Sequence, residues 1–368
     1  MTKSDAGNFI SEWFGHRIYP SVVSTAKSLA DQKAQLCPFL TAIKGQDQSC
    51  VKNEKSKGVC TISTCSNGPR QDWVACPYRI LNPDLVASVG RRLYDVDAST
   101  KLLAVAAPTL AEAAVRKSVK KCLATGGRAF VYFDQKIGGE ISLSGTVKSP
   151  EMAFDVTLVE LKETGEKLSL GQFAILEVQT MDFHGSYGRA VGKLKNALDL
   201  HPKSFPKTLS DNLWWAGDGI EGPNIANVFK RTFYQMMFKF GFGESDACAG
   251  TALTIPAAVW DSWQPFLAAP ELHELADGTF RLSAPGGVPD AGAVSAWIYV
   301  VDFDASSPVT PSPMNVVKQI GVATELLSSF ALKAAPVAAA EQLLSATGIY
   351  ASLLKRLGGY WPGEIQAS

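Results

Sequence analysis

FAILEVQTMDFHGSY, residues 173–187, is the stretch from which the fold is read. Its first half is an apolar strand that carries two polar residues, Glu177 and Gln179. Side chains of an extended chain alternate, so Glu177 and Gln179 share the face of Phe173 and Ile175. A carboxylate and an amide on such a face are costly unless hydrogen-bonded or engaged with a metal. They are either the solvent-facing end of a strand or part of a site, and the pairing together with what lies upstream favours the site.

Upstream, Ala129 to Phe133 is an apolar run, and Gly138-Gly139 turns the chain into residues 140–144. Residues 152–158 form the next strand and the polar residues 162–167 a turn, so antiparallel neighbours joined by short turns are expected. The alternation sets Asp155 on the face opposite Phe154 and Val156, a mid-strand carboxylate with no basic neighbour in sequence. Adjacent strands would then bring Glu140, Asp155, Glu177 and Gln179 to one end of a sheet. Mg²⁺ takes one or two protein carboxylates plus phosphate and waters, and so held it activates water and stabilises a leaving oxygen. The order also fits the loose PD-(D/E)xK nuclease pattern, with Gln179 where the lysine would stand. Glutamine is neither a base nor a cation, so it would orient water or ligate through its carbonyl.

Around this centre, residues 8–15 read as a short amphipathic helix ended by Gly15. Residues 84–93 and 109–123 read as helices, the second with capping-box spacing at Thr109 and Glu112. Residues 189–200 and 224–242 are further helices, separated by a Gly/Pro/Trp-rich loop over 202–223. Residues 251–255 and 296–303 are strands, and two Ala/Leu-rich helices are expected over 315–333 and 338–357. No internal repeat, Walker loop, GxGxxG or GxSxG is present.

With 368 residues, 46% hydrophobic and 19% charged, the chain can bury a sizeable core in one or two domains. The N-terminus has no signal-peptide core and no stretch is long and apolar enough to span a membrane, so a cytoplasmic protein with no membrane partner is expected. Basic and acidic residues balance at 35 each, so a nucleic-acid footprint would be local. Residues 187–239 hold eight Lys/Arg against four Asp/Glu; within them Lys193, Lys195, Lys230 and Arg231 are candidates for phosphate contacts, each also readable as solvated surface. Five of the seven cysteines lie between Cys37 and Cys76. Residues 31–80 are too polar to order themselves by burial, so a metal staple through Cys37, Cys50, Cys60 and Cys76 is sensible, with buried free thiols as the alternative. Four thiolates would suit iron or zinc.

The sequence closely resembles the NotI family of type II restriction endonucleases. The runs that carry the resemblance are CPFLTA at Cys37, SCVK at Ser49, GVC at Gly58, AAPTLA at Ala106, GGE at Gly138, QTMDFHGSY at Gln179, EGPN at Glu221, NVFKRTFYQM at Asn227 and CAGT at Cys248. It spans about residues 8 to 304; Cys65, residues 202–219 and everything after about Ser306 depart from it. The resemblance implies a homodimeric, Mg²⁺-dependent endonuclease that cuts both strands of duplex DNA at a GC-rich palindrome, the host protected by a cognate DNA methyltransferase. It implies catalytic residues Glu140, Asp155, Glu177 and Gln179, with Asp155, Glu177 and Glu140 toward Mg²⁺. It also implies a structural iron on Cys37, Cys50, Cys60 and Cys76.

The expected fold is therefore α/β: a PD-(D/E)xK core, a mixed central sheet flanked by helices, at residues 101–305. A small four-cysteine metal-binding subdomain would occupy 1–100 and helices 306–368. A DNA-binding protein that kept the fold and lost cleavage, or a redox protein using the thiolate centre, are the competing classes.

Overall fold

The structure is a computed structural model that describes residues 7–66, 68–164, 167–289, 294, 296–343 and 345–360. Its strands are Phe9–Trp13 (β1), His16–Arg17 (β2), Val59–Thr64 (β3), Gln71–Val74 (β4), Leu102–Ala106 (β5), Arg128–Asp134 (β6), Ile141–Leu143 (β7), Met152–Phe154 (β8), Val156–Thr164 (β9), Lys167–Val178 (β10), Cys248–Pro256 (β11), Glu271–Glu274 (β12), Phe280–Ser283 (β13), Ala296–Phe303 (β14) and Met314–Val322 (β15). They make a mixed α/β structure. A small sheet runs β2-β1-β3-β4, a large one β12-β13-β15-β14-β11-β10-β9-β6-β5, and β7-β8 form a ribbon.

The centre of the large sheet is parallel, β10 to β11 to β14, while β9 joins β10 as an antiparallel hairpin. Both faces of that centre are covered, so its strands are apolar on both sides. On one face Leu253, Ile255, Ile298 and Val300 pack with helices Gly188–Leu200, Ile225–Phe240 and Ala257–Trp263 and with the small sheet. On the other, Ala174, Leu176, Tyr299 and Val301 pack with helix Pro83–Leu93 and the cysteine-bearing segment.

Four expectations fail for identifiable reasons. Residues 8–15 are a hairpin, not a helix: Phe14 and Gly15 both take positive φ (52° and 77°), the backbone of a tight hairpin turn, and Gly15 turns the chain instead of capping it. Residues 9–13 are buried throughout, so the spacing that imitated a helix face was that of a strand covered on both sides. The helix read from Thr109 begins only at Ala113 with Glu112 as its cap residue, and Thr109 lies in a 3-10 turn with its hydroxyl on the Ala106 carbonyl. The loop over 202–223 contains helix Phe205–Asp211 and the 3-10 turn Leu213–Gly217. Residues 315–333 are not one helix, residues 338–357 are divided between helices Ala335–Ala340 and Ile349–Tyr360, and residues 306–368 are not all helical. Val316, Val317, Ile320 and Val322 instead build β15, paired antiparallel to β14, and helix begins only at Thr324. Among the described residues no helix is long and apolar enough to cross a membrane.

Candidate active site where strands β8, β9 and β10 meet

Asp155 is the single residue between β8 and β9, and the β9–β10 register pairs Val156 with Leu176. One step further on, Asp155 and Glu177 stand opposite each other, and two hydrogen bonds join their strand ends. The Asp155 N–H donates to Glu177 Oε1 at 3.3 Å, and the Val178 N–H donates to Asp155 Oδ2 at 3.0 Å. The hairpin thus delivers the two carboxylates as a fixed pair.

Glu177 is 6% exposed and its Oε2 lies 2.5 Å from the ammonium of Lys239, from helix Ile225–Phe240. Burial first, then the charge of Asp155, pushes its carboxyl up to about 7, against the pull of Lys239 and the Asp155 N–H. Between the unfolded carboxyl's usual range and pH 7, the folded protein keeps a proton that the unfolded chain has lost. This contribution to stability is fully present at low pH and lost as pH rises through about 7. In metal-free protein the stability of wild type relative to Glu177→Gln should fall between pH 5 and 8, by on the order of 3 kcal/mol. Denaturant melts of both proteins across that range check it, and a pH-independent difference contradicts it.

Asp155 also borders a cavity of about 230 Å³ lined by Glu140, Asp134, Tyr78, Leu81 and Val178. Glu140 is exposed at the start of the β7–β8 ribbon. Asp134, not singled out in the sequence, accepts hydrogen bonds from Tyr78 Oη and the Lys136 N–H, both at 2.7 Å. Burial raises its carboxyl, and those hydrogen bonds oppose the rise. An acid closing the apolar strand just before Gly138-Gly139 and Glu140 was the available signal. Glu177 does not line this cavity; it faces the helix on the other side of the strand.

Gln179 lies just beyond β10, where its backbone N–H donates to the Thr254 carbonyl at 3.0 Å. Its side-chain carbonyl accepts from Thr232 Oγ1 at 2.7 Å and its NH₂ donates to the Thr180 carbonyl. Both ends of the amide are engaged, so Gln179 anchors the strand end to helix Ile225–Phe240. Lys239 was hidden in that helix's apolar periodicity. Val228, Thr232, Met236 and Lys239 all lie on its buried side, and one lysine on that side was the clue.

Cys37, Cys50, Cys60 and Cys76 line one small cavity of about 10 Å³. Two of the sulfurs receive backbone N–H groups, Leu40 to Cys37 at 3.5 Å and Gly58 to Cys50 at 3.4 Å, while the Cys60 thiol donates to the Gly58 carbonyl at 3.4 Å. A hydrogen bond from Cys60 holds the Cys76 thiol down to about 6, although burial opposes it, whereas burial pushes Cys37 up to about 12. Cys65 lies outside this cavity, against the Arg70 guanidinium at 3.8 Å. Four sulfurs around one cavity with no carboxylate among them are a donor set suited to a soft or borderline metal. Among the described residues, however, no group of three or more His, Cys, Asp or Glu side chains is disposed as it stands to hold a metal ion. Mg²⁺ takes one or two protein carboxylates, and Asp155 and Glu177 are two carboxylates on facing strand ends.

Of the basic candidates, Lys193 Nζ pairs with Asp218 at 2.7 Å and lies over the Trp214 ring, and Lys195 pairs with Glu54 at 2.6 Å. Arg231 pairs with Asp182 at 2.9 Å, and Lys230 is exposed beside it. Lys193 and Lys195 lie on helix Gly188–Leu200, and Lys230 and Arg231 on helix Ile225–Phe240. His184 is exposed, with its backbone N–H on the Gly222 carbonyl, and takes no part in the pair.

No protein-family model matches this sequence, and no curated protein matches it.

Proposed function

We propose that the protein is a type II restriction endonuclease: a homodimer that hydrolyses both strands of duplex DNA at a GC-rich palindrome, with Mg²⁺ as cofactor and a cognate methyltransferase shielding host DNA. The observation that supports this reading is the pair of hydrogen bonds that ties the two strand ends together, Asp155 N–H to the Glu177 carboxylate and Val178 N–H to the Asp155 carboxylate, followed by the anchored Gln179. Asp155 and Glu177 would hold Mg²⁺, with Glu140 facing the same cavity as Asp155 to hold its waters. When bound, the ion would supply charge neutralisation at the scissile phosphate and lower the pKa of an attacking water. The Asp155 and Glu177 carboxylates are each held by a backbone N–H of the other's strand. Gln179 keeps helix Ile225–Phe240 against the site, and Lys230 and Arg231 on that helix would meet DNA phosphates. Cys37, Cys50, Cys60 and Cys76 would hold a structural iron, or zinc, that orders the polar segment around them.

Purified protein incubated with a sequenced plasmid and Mg²⁺ should give discrete fragments whose mapped ends share one palindromic sequence. Salt-sensitive duplex binding without Mg²⁺-dependent cutting would overturn the enzyme and leave the DNA-binding protein. Iron on four thiolates should colour the protein, and Cys60→Ser should lower the bound metal and loosen residues 31–80 to proteolysis. Unchanged metal content in that variant contradicts the ligand set.

A further inference from the structure

The strand motif that ends in Gln179 carries no positive charge, yet a cation reaches the carboxylate pair from elsewhere in the chain. Lys239 is only 5% exposed although lysine is among the residues least often buried. Its ammonium meets Glu177 Oε2 at 2.5 Å and lies 5.7 Å from the centre of the Phe154 ring, on the strand that leads into Asp155. The helix that carries it is tied to the same strand end through Thr232 and Gln179.

We infer that Lys239 is the positioning cation of the carboxylate site, delivered from helix Ile225–Phe240 in place of a lysine on the strand. This rests on the nuclease reading above. Two donors fix the Glu177 carboxylate, the Asp155 N–H on Oε1 and Lys239 on Oε2, so its plane is set with respect to Asp155. An ammonium has three N–H donors, so Lys239 can hold Glu177 and still face a water or a phosphate oxygen. Its charge also halves the negative charge of the Asp155–Glu177 pair, which a DNA phosphate must approach. In a buried site that balance is screened little by salt. Were the ion pair only structural, replacing both members by neutral groups of similar shape would leave DNA affinity unmoved relative to the single lysine variant.

The test uses the full-length protein and four forms: wild type, K239M, K239R and the double variant E177Q/K239M. Each is melted, titrated with cognate duplex in EDTA, and assayed for single-turnover cleavage at saturating Mg²⁺. K239M should cleave about 100-fold more slowly, and K239R should recover most of that loss. In EDTA, K239M should bind duplex about tenfold more weakly, and E177Q/K239M should regain wild-type affinity because the charge is balanced again. Cleavage by K239M within about threefold of wild type overturns the role of Lys239 while leaving the nuclease reading intact. So does a folded double variant that binds no better than K239M; where K239M itself does not fold, affinity of the double variant below wild type decides against the role. Wild type that neither cuts nor binds duplex overturns the nuclease reading and this inference with it.

Discussion

Replacing Asp155 or Glu177 with alanine should reduce Mg²⁺-dependent cleavage by about 10³-fold or more, since a metal's charge stabilisation of the transition state is worth several kcal/mol. Specific duplex binding in Ca²⁺ should be largely kept, because loss of a carboxylate removes a charge that repels phosphate. The two variants differ in their effect on the fold. Asp155→Ala deprives the Val178 N–H of its acceptor at a partly open strand end, where water can replace it. Glu177→Ala leaves the Lys239 ammonium buried without its partner, which in a buried pair costs about 3–5 kcal/mol. Glu177→Gln is therefore the companion variant, since it keeps the shape and a hydrogen-bond acceptor for Lys239. Single-turnover cleavage and duplex titration in Ca²⁺ check the prediction, and cutting by either purified alanine variant near the wild-type rate removes the carboxylates from the metal site.

Glu12→Ala should lower stability by about 3–5 kcal/mol, the cost of leaving one member of a buried ion pair uncompensated. Glu12 on β1 receives the Arg79 guanidinium in a two-pronged contact, Nε to Oε2 at 2.8 Å and Nη2 to Oε1 at 3.1 Å. Both side chains are at most 2% exposed, and Thr61 donates a further hydrogen bond to Oε2. Arg79 is itself packed between the Phe39 and Phe303 rings, at 5.2 and 4.7 Å from their centres. The pair therefore joins the small sheet, the segment after Cys76 and the end of β14 in one contact. Removing Glu12 buries a bare guanidinium at the meeting point, and the melting temperature should fall by roughly 4–6 °C. Glu12→Gln, which keeps two polar atoms facing Arg79, should lose less. A Glu12→Ala protein that melts within a degree or two of wild type would show that Arg79 finds water or another acceptor there.

Much of the candidate site was legible because its signals are local. Glu177 was visible as a charge on an apolar strand, and Asp155 as a carboxylate in a run of strand formers whose alternation was easy to follow. The four cysteines stood out by clustering in a polar segment, and the structure draws Cys37, Cys50, Cys60 and Cys76 around one cavity while leaving Cys65 outside it. Lys239 and Asp134 were not legible in the same way. Each is an ordinary member of its own element, and only the packing of helix Ile225–Phe240 on the strand end, or of Tyr78 against β6, gives it a partner.

The stretch at residues 173–187 shows where the line falls. Its apolar run, its two polar residues and the glycine after them determined a strand ending in a polar site, because side-chain alternation and the cost of burying a carboxylate operate within a few residues. What those polar residues do was decided by tertiary structure. The β9–β10 register set Asp155 against Glu177, and a later helix brought Thr232 to Gln179 and Lys239 to Glu177 across 53 and 62 positions of sequence. The same division explains the misread elements. Residues 8–15 and 314–322 have patterns that serve a helix or a strand equally well, and hydrogen-bonding partners distant in sequence, β3 for the one and β14 for the other, made them strands. Local sequence sets which conformations are cheap, and pairing across the fold selects among them.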